Sequence, residues 1–296
     1  MELQQLRYVL AVAETRNFTR AARQCFVVQS ALSHQVKALE RELGVTLFAR
    51  TSRRVELTEA GAAFLPAART ALEAAERAAV DAAAAVGEIR GRLTIGVIPT
   101  VTAVDLAASL SDFHRAHPAV RVLVRGGSSD ELTAAIDAGT VDVAVLGLPE
   151  GVRPQRVRSR EVGRDRHVAM LAGDHRLAGR EQLQLRDLAD ETFADFPSGT
   201  PGRSQSDLAF GAAGIRREVA FEVVAADLIL DLVEQGLAVS LLPPGIAGSH
   251  PGLVAVPLTD GPTRVQHLAW SDFNPSPAAT AFIGTVRGRS EPRADR

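Results

Sequence analysis

The chain is poor in the residues that carry covalent chemistry. Its 296 residues include one cysteine, Cys25, so neither an intrachain disulfide nor a thiolate metal cluster can form. Cys25 itself falls at the end of a short helical pattern and reads as a small buried residue rather than a sensing thiol. No apolar run reaches about 18 residues, the length that marks a membrane-crossing helix. The N-terminus also lacks the charged-then-apolar pattern of a secretory leader, and the expectation is a cytoplasmic protein with no membrane segment. The G-x-S-x-G, P-loop and acid-supported G-x-G-x-x-G patterns are missing, so no enzyme, cofactor or resident metal is expected. His114-x-x-His117 has helical metal spacing without a third ligand and reads as a surface pair. Lysine occurs once, as Lys37, and this arginine bias is attributed to a GC-rich genome.

Net charge is only −2, which argues against a generally basic nucleic-acid binder. The distribution argues otherwise. Residues 1–58 carry nine Lys/Arg against five Asp/Glu, a local +4 that leaves −6 for the rest. A basic head on an acidic body suits a protein that touches DNA with one end, although chance variation over so short a segment is an even alternative.

The densest signal lies between Asn17 and Arg54, where two short helical patterns flank a tight turn. At about 100° per residue, Leu32, Val36, Leu39 and Leu43 share one side of the second helix, with Ser30, Ser33, His34, Lys37 and Arg41 on the other. An apolar side seeks a core, while hydroxyls, an imidazole and cations can reach a polyanion. This is the pattern of a recognition helix, with base-edge contacts from its first turns and phosphate contacts around them. After Gly44, Val45–Phe48 and Val55–Leu57 read as a short hairpin whose tip, Thr51-Ser52-Arg53-Arg54, makes a wing along a DNA groove or else a merely solvated turn.

The segment resembles the N-terminal domain of the LysR-type transcriptional regulators. The resemblance rests on Phe18, Thr19, Ala21, Ala22, Gln29, Ala31, Leu32, Ser33, the Leu39-Glu40 pair, Leu43-Gly44-Val45-x-Leu47-Phe48-x-Arg50 and Leu57-Thr58-Glu59-Ala60-Gly61. Two positions depart from the family pattern: Val28 stands where Ser or Thr is common, and Ser30 where Pro is common. The recognition helix therefore loses its hydroxyl N-cap, worth roughly 1 kcal/mol, unless the helix starts later and Ser30 takes that role. His34 replaces a frequent Arg. The DNA-binding candidates are Gln29, Ser30, Ser33, His34, Lys37 and Arg53, the last two engaging phosphate or the minor groove.

The expected organisation is α/β overall. Residues 1–58 are expected to form an N-terminal all-α winged helix-turn-helix domain, 59–88 a long dimerisation linker helix, and 89–296 an effector-binding domain. The linker pattern carries a stripe of Phe64, Leu65, Ala68, Leu72, Ala75, Ala79 and Ala82, with Pro66 bending its early turns. At ~1.5 Å per residue it spans roughly 40 Å, too long to bury that stripe in the head, so it is expected to pack against a copy of itself. From Leu93 strands alternate with helices, which implies a parallel sheet covered on both faces. Two such subdomains, about 93–160 with 269–296, and about 161–268, resemble the periplasmic-binding-protein-like effector domain of the same family.

In open α/β sheets ligands sit beyond the carboxyl ends of the strands. Thr100 and Thr102, Ser128 and Ser129, and the Ser198-Gly199-Thr200 turn lie at such ends, next to helix starts that favour anions. Each hydroxyl is either an effector contact or the cap of its own helix, and Ser128, with Glu131 completing a capping box, is foremost a cap. Arg153, Arg156, Arg158, Arg160, Arg164 and Arg166 crowd the crossover between subdomains, as a solvated hinge strand or as a second anion site. The resemblance implies double-stranded operator DNA, a small polar or carboxylate effector and self-association to a homodimer or homotetramer. A solute-binding or catalytic two-lobed protein is the rival reading, as is a constitutive regulator whose pocket has lost its ligand.

Overall fold

Helix boundaries in the head follow local capping chemistry. The protein is described by a computed structural model covering residues 1–50, 55–84, 88–273 and 275–287. Helix α1 (Leu3–Thr15) opens with a Glu2–Gln5 capping box and stops at Arg16, which turns left-handed. Helix α2 (Phe18–Gln24) is capped by the Asn17 side chain, which accepts from the Arg20 N–H at 2.9 Å. Helix α3 (Gln29–Leu43) starts directly after Val28, which gives no side-chain cap, so Ser30 lies inside the helix and does not replace the missing hydroxyl. It ends at Gly44 with φ +68°, a conformation that favours glycine. Strands β1 (Phe48–Arg50) and β2 (Val55–Leu57) pair antiparallel, and helix α4 runs over Glu59–Ala84. The wing tip with Arg53 lies outside the described residues.

The head's core explains several of the sequence signals. Leu6, Val9 and Val12 of α1 pack with Leu32, Val36 and Leu39 of α3, Leu47 and Phe48. Leu43 is exposed on the last turn of α3, outside the apolar side to which its spacing assigned it. Glu40 accepts from the backbone N–H groups of Leu47 (2.8 Å) and Phe48 (3.2 Å), fastening the turn that leads into the hairpin. Thr58 donates to the Thr46 carbonyl and accepts from the Gly61 N–H, which starts α4. A Cβ at Gly61 would stand 2.2 Å from the Leu47 carbonyl oxygen. The expectation that the α4 stripe cannot be buried within the head is corrected in its first half. Leu65, Ala68 and Leu72 belong to the head's own core, because α4 packs back against α1.

The chain divides into two compact units, Met1–Gly87 and Glu88–Arg296. In the second, β3 (Gly91–Val97), α5 (Leu106–Ala116), β4 (Val120–Gly126), α6 (Ser129–Asp137) and β5 (Val143–Pro149) make a parallel βαβαβ run. Strand β6 (Arg158–Arg166) leads to β7 (Val168–Ala172), β8 (Thr192–Asp195), α7 (Pro201–Ala212), β9 (Glu218–Glu222), α8 (Ala226–Glu234), β10 (Ser240–Leu242) and β11 (Leu253–Val256). Strand β12 (Thr263–Trp270) and helix α9 (Pro277–Thr285) follow. The first sheet has the order β4-β3-β5-β12-β6, with β12 antiparallel to both neighbours. The second lobe holds β10-β7-β11 and the parallel pair β8-β9, joined by a bridge between Phe193 and Val239.

The lobe boundaries expected near 160 and 268 move to Arg166 and Thr263. Pairing from Thr263↔Arg166 to Trp270↔Arg158, with one register shift between Gln266 and His267, keeps both connecting strands in the first sheet. The arginines of this edge have partners: Arg156 with Asp137, Arg158 with Asp272, Arg164 with Glu150 and Glu161, and Arg166 with the Thr259 carbonyl. Arg160 donates to the carbonyls of Ile283 and Val286.

Gly61→Ala has to displace either a strand carbonyl or the helix. Overpacking of this kind costs about 1–3 kcal/mol. The expected result is a lower midpoint for head unfolding in urea, with the unfolding of residues 88–296 unchanged. An unaltered head midpoint would mean the α4–Leu47 contact has room to give.

Candidate DNA interface and effector site

Helix α3 presents two unlike faces. Leu32, Val36 and Leu39 are buried, Gln29, Ser30, His34 and Lys37 are exposed, and Ser33 is half-buried. The exposed set starts at the first residue of the helix, the end that approaches base edges in helix-turn-helix complexes. Of the six candidates from the sequence, five are thus on one helix, and Arg53 lies outside the described residues.

At the carboxyl ends of the first sheet, the candidate hydroxyls meet a residue the sequence reading missed. Arg264, on β12, is only 2% exposed. Its Nε donates to Asp165 Oδ1 at 3.0 Å and its Nη2 to Asp165 Oδ2 at 2.6 Å, a bidentate pair. Nη1 donates to Thr100 Oγ1 and Nη2 also to Thr102 Oγ1 at 3.1 Å. Thr102 Oγ1 lies 2.8 Å from Asp165 Oδ2, and Gln266 Nε2 donates to both. The Gln266 side-chain oxygen, Oε1, in turn accepts from the backbone N–H groups of Thr102 and Ala103. Burial raises the Asp165 carboxyl, but the Arg264 guanidinium with Thr102 and Gln266 outweighs it and holds the group below its ordinary range. Adjacent in the crossover, His167 is buried and neither ring nitrogen has a hydrogen-bond partner. Burial first, and Arg264 second, push its pKa down to about 3 against the pull of Asp165.

The remaining candidates divide. Ser128 caps α6 through the Glu131 N–H, and Glu131 returns a bond to the Ser128 N–H, which draws the Glu131 carboxyl below its usual value. Ser129 is buried and exchanges two 3.0 Å hydrogen bonds with the backbone of Gly147. Thr200 caps α7, Gly199 takes φ +80°, and the Ser198 N–H reaches Glu222. Behind that turn Asp195 meets Arg217 at 2.7 Å, and Arg203 links Asp207 and Glu222. The two lobes approach here: α7 packs on β5 and α6, and a Cβ at Gly245 would stand 3.3 Å from Thr102 Cγ2. Two buried α7 side chains retain unused polar atoms, Gln205 Oε1 and Ser206 Oγ. A sequence pattern could not have found Arg264 or Asp165, since they lie 99 positions apart and meet only by strand pairing.

One trio could admit a divalent cation. Asp231 and Glu234 of α8 and His250 bring their ligand atoms within 4.8 Å of one another. His250 Nε2 already lies 3.1 Å from Asp231 Oδ1, and Glu234 Oε1 accepts from the Gly252 N–H.

Two outcomes follow from the buried pair and its neighbour. Asp165→Asn leaves Arg264 charged and without its carboxylate, a change that costs about 3–5 kcal/mol, whereas Asp165→Leu with Arg264→Met recovers most of it. Urea unfolding of residues 88–296 reads both, and equal midpoints for wild type and Asp165→Asn would mean that Arg264 does not depend on this carboxylate. His167 is depressed below its ordinary 6.5, so the unfolded chain binds its proton first. The stability it contributes is complete above 6.5 and is lost as pH falls toward 3. His167→Leu should reduce the slope of stability against pH in that window; an unchanged slope would mean the ring protonates freely in the folded state.

Comparison with known proteins identifies the two units of the chain. Residues 3–62 match the family described as bacterial regulatory helix-turn-helix protein, lysR family, and residues 87–291 match the LysR substrate binding domain. The HTH-type transcriptional regulator ShiR of Corynebacterium glutamicum is 32% identical over 288 residues, 96% of this chain and 97% of that protein. The hydrogen peroxide-inducible genes activator of Pectobacterium carotovorum is 33% identical, covering 100% of this chain and 95% of its own. Among solved structures, full-length CbnR complexed with its target DNA superposes with a TM-score of 0.72 at 28% identity, over 96% of this chain and 98% of that one. Full-length OxyR from Pseudomonas aeruginosa gives 0.71 at 26% identity, covering 99% of each chain. The chain belongs to the LysR family, and is a DNA-binding transcriptional regulator with an effector-binding domain.

Proposed function

We propose that this regulator reads operator DNA with α3 and the wing, and that it responds to a small polar anion, of the carboxylate class, held between the two lobes of residues 88–296. Gln29, Ser30, Ser33 and His34 meet base edges, while Lys37 and Arg53 engage phosphate or the minor groove. The chain acts in the cytoplasm as a homodimer or homotetramer joined through the later part of α4, beyond the Leu72 that the head itself buries.

The observation that carries the effector reading is the packing of α7 on β5 and α6, together with two buried polar atoms of α7, Gln205 Oε1 and Ser206 Oγ, that have no hydrogen-bond partner. Buried polar atoms left unpaired are costly and mark places for water or ligand. Thr100 and Thr102 would then form a floor through Arg264, Ser129 would hold β5 in place, and the Ser198–Thr200 turn would place the start of α7 toward the ligand, with Ser128 as a cap at the rim. An anion suits that turn because the start of a helix favours negative charge.

Relatives that answer hydrogen peroxide suggest a second reading, and the composition weighs against it. A thiol response to peroxide needs a cysteine. The only one, Cys25, lies in the head, leaving residues 88–296 without any.

Two measurements test the proposal. On a duplex selected by the full chain, Gln29→Ala or Ser33→Ala should lower the specific-to-nonspecific ratio by roughly 1–3 kcal/mol at one base pair. An unchanged preference in both removes them from the readout. Thermal-shift titration with mono- and dicarboxylates should find a compound that raises the melting temperature and changes DNA affinity by a matching, reciprocal factor. Stabilisation without any effect on DNA affinity would contradict a sensing role.

A further inference from the structure

The turn of the helix-turn-helix alternates inward and outward. Cys25 and Val27 pack against the head's core, while Phe26 is 94% exposed and Val28 68% exposed. Neither exposed residue serves the fold. Phe26 is held at φ +55°, where a side chain bearing a Cβ is disfavoured and Gly or Asn is the usual choice. Val28 is the N-cap of α3 and supplies no cap bond, at a position where Ser, Thr, Asp or Asn would stabilise the helix. Two adjoining outward positions therefore carry apolar side chains that the protein alone leaves in water. Both stand at the N-terminal end of α3, beside the exposed Gln29 and Ser30.

In B-DNA the major-groove edge carries donors, acceptors and one apolar group, the C5-methyl of thymine. A branched aliphatic residue at the entering end of a recognition helix matches that group, and a flat ring beside it matches the apolar face of a deoxyribose. We infer that Val28 reads a thymine methyl group in each half-site, with Phe26 covering the neighbouring sugar. The inference rests on α3 being the DNA-reading helix. Continuity with that face favours DNA over a protein partner as the occupant, and the capping hydroxyl common in the family is replaced here by a methyl-reading side chain.

The test uses the full chain. Duplexes selected from a randomised pool supply a site, and each thymine in it is then replaced singly by deoxyuridine, which removes only the methyl. Fluorescence anisotropy should find one thymine per half-site whose replacement weakens binding about three- to fivefold, the worth of one buried methyl group. Val28→Ser, which restores a cap and removes the branched side chain, should abolish that penalty while leaving the melting temperature equal or higher. Phe26→Asn, which relieves the backbone, should weaken binding to both thymine and uracil duplexes without destabilising the head. A flat uracil profile for the wild type on a selected site overturns the inference alone, as does a penalty that persists in Val28→Ser. Failure to select any duplex overturns both it and the assignment of α3. If the two variants leave DNA binding intact but abolish self-association, the patch belongs to a second copy of the chain and the inference falls.

Discussion

A guanidinium removed from water must find its counter-charge where it lies, and Arg264 sets that requirement for the effector-binding unit. The side chain springs from β12, the strand that returns from the second lobe, and its bidentate partner Asp165 lies on β6, the strand that leaves for it. The pair therefore joins the outgoing and returning strands where both cross between lobes. Thr100 and Thr102, from the loop after β3, complete the donors' coordination, and Gln266 holds that loop by its backbone. Removing one carboxylate would leave a buried charge and loosen three segments together. An ion pair of this kind contributes little net stability compared with an apolar replacement, yet it is exacting about geometry. That makes it suited to keeping a two-lobed domain in one arrangement, from which the proposed effector would have to shift it by differential affinity.

The head follows the opposite economy. Its stability comes from an apolar core shared by α1, α3, the hairpin and the first turns of α4, helped by the Asn17 cap and the Glu40 bonds to Leu47 and Phe48. At the α2–α3 turn, residues that would improve folding are absent, and a strained aromatic and an uncapped helix start stand in their place. Sites where local preference is violated without a compensating contact are where function is to be sought. The exposed row that begins there continues along α3 through Ser30, His34 and Lys37.

Much of this was legible in the order of residues, and the reasons differ by region. Periodicity and capping are local, so α1, α2 and α3 with Gly44, the capping box at Ser128 and the Pro201 start of α7 could be read directly. The burial of Leu65, Ala68 and Leu72 within the head could not, because a stripe of small apolar residues does not say which surface covers it. The lobe boundaries slipped because β6, rich in arginine, has no apolar pattern and is recognised as a strand only by its pairing with β12. The sequence places Thr100 and Thr102 just after a strand, but does not show that their hydroxyls face Arg264, whose partner Asp165 is remote in sequence.

Every assignment above depends on the N-terminal unit occupying promoter DNA. Chromatin immunoprecipitation of the full chain in its native host tests that occupancy. The expected result is a few sharply enriched intergenic sites sharing a dyad, all lost when the exposed face of α3 is replaced. Enrichment spread evenly over coding and intergenic DNA, or retained without that face, would contradict it.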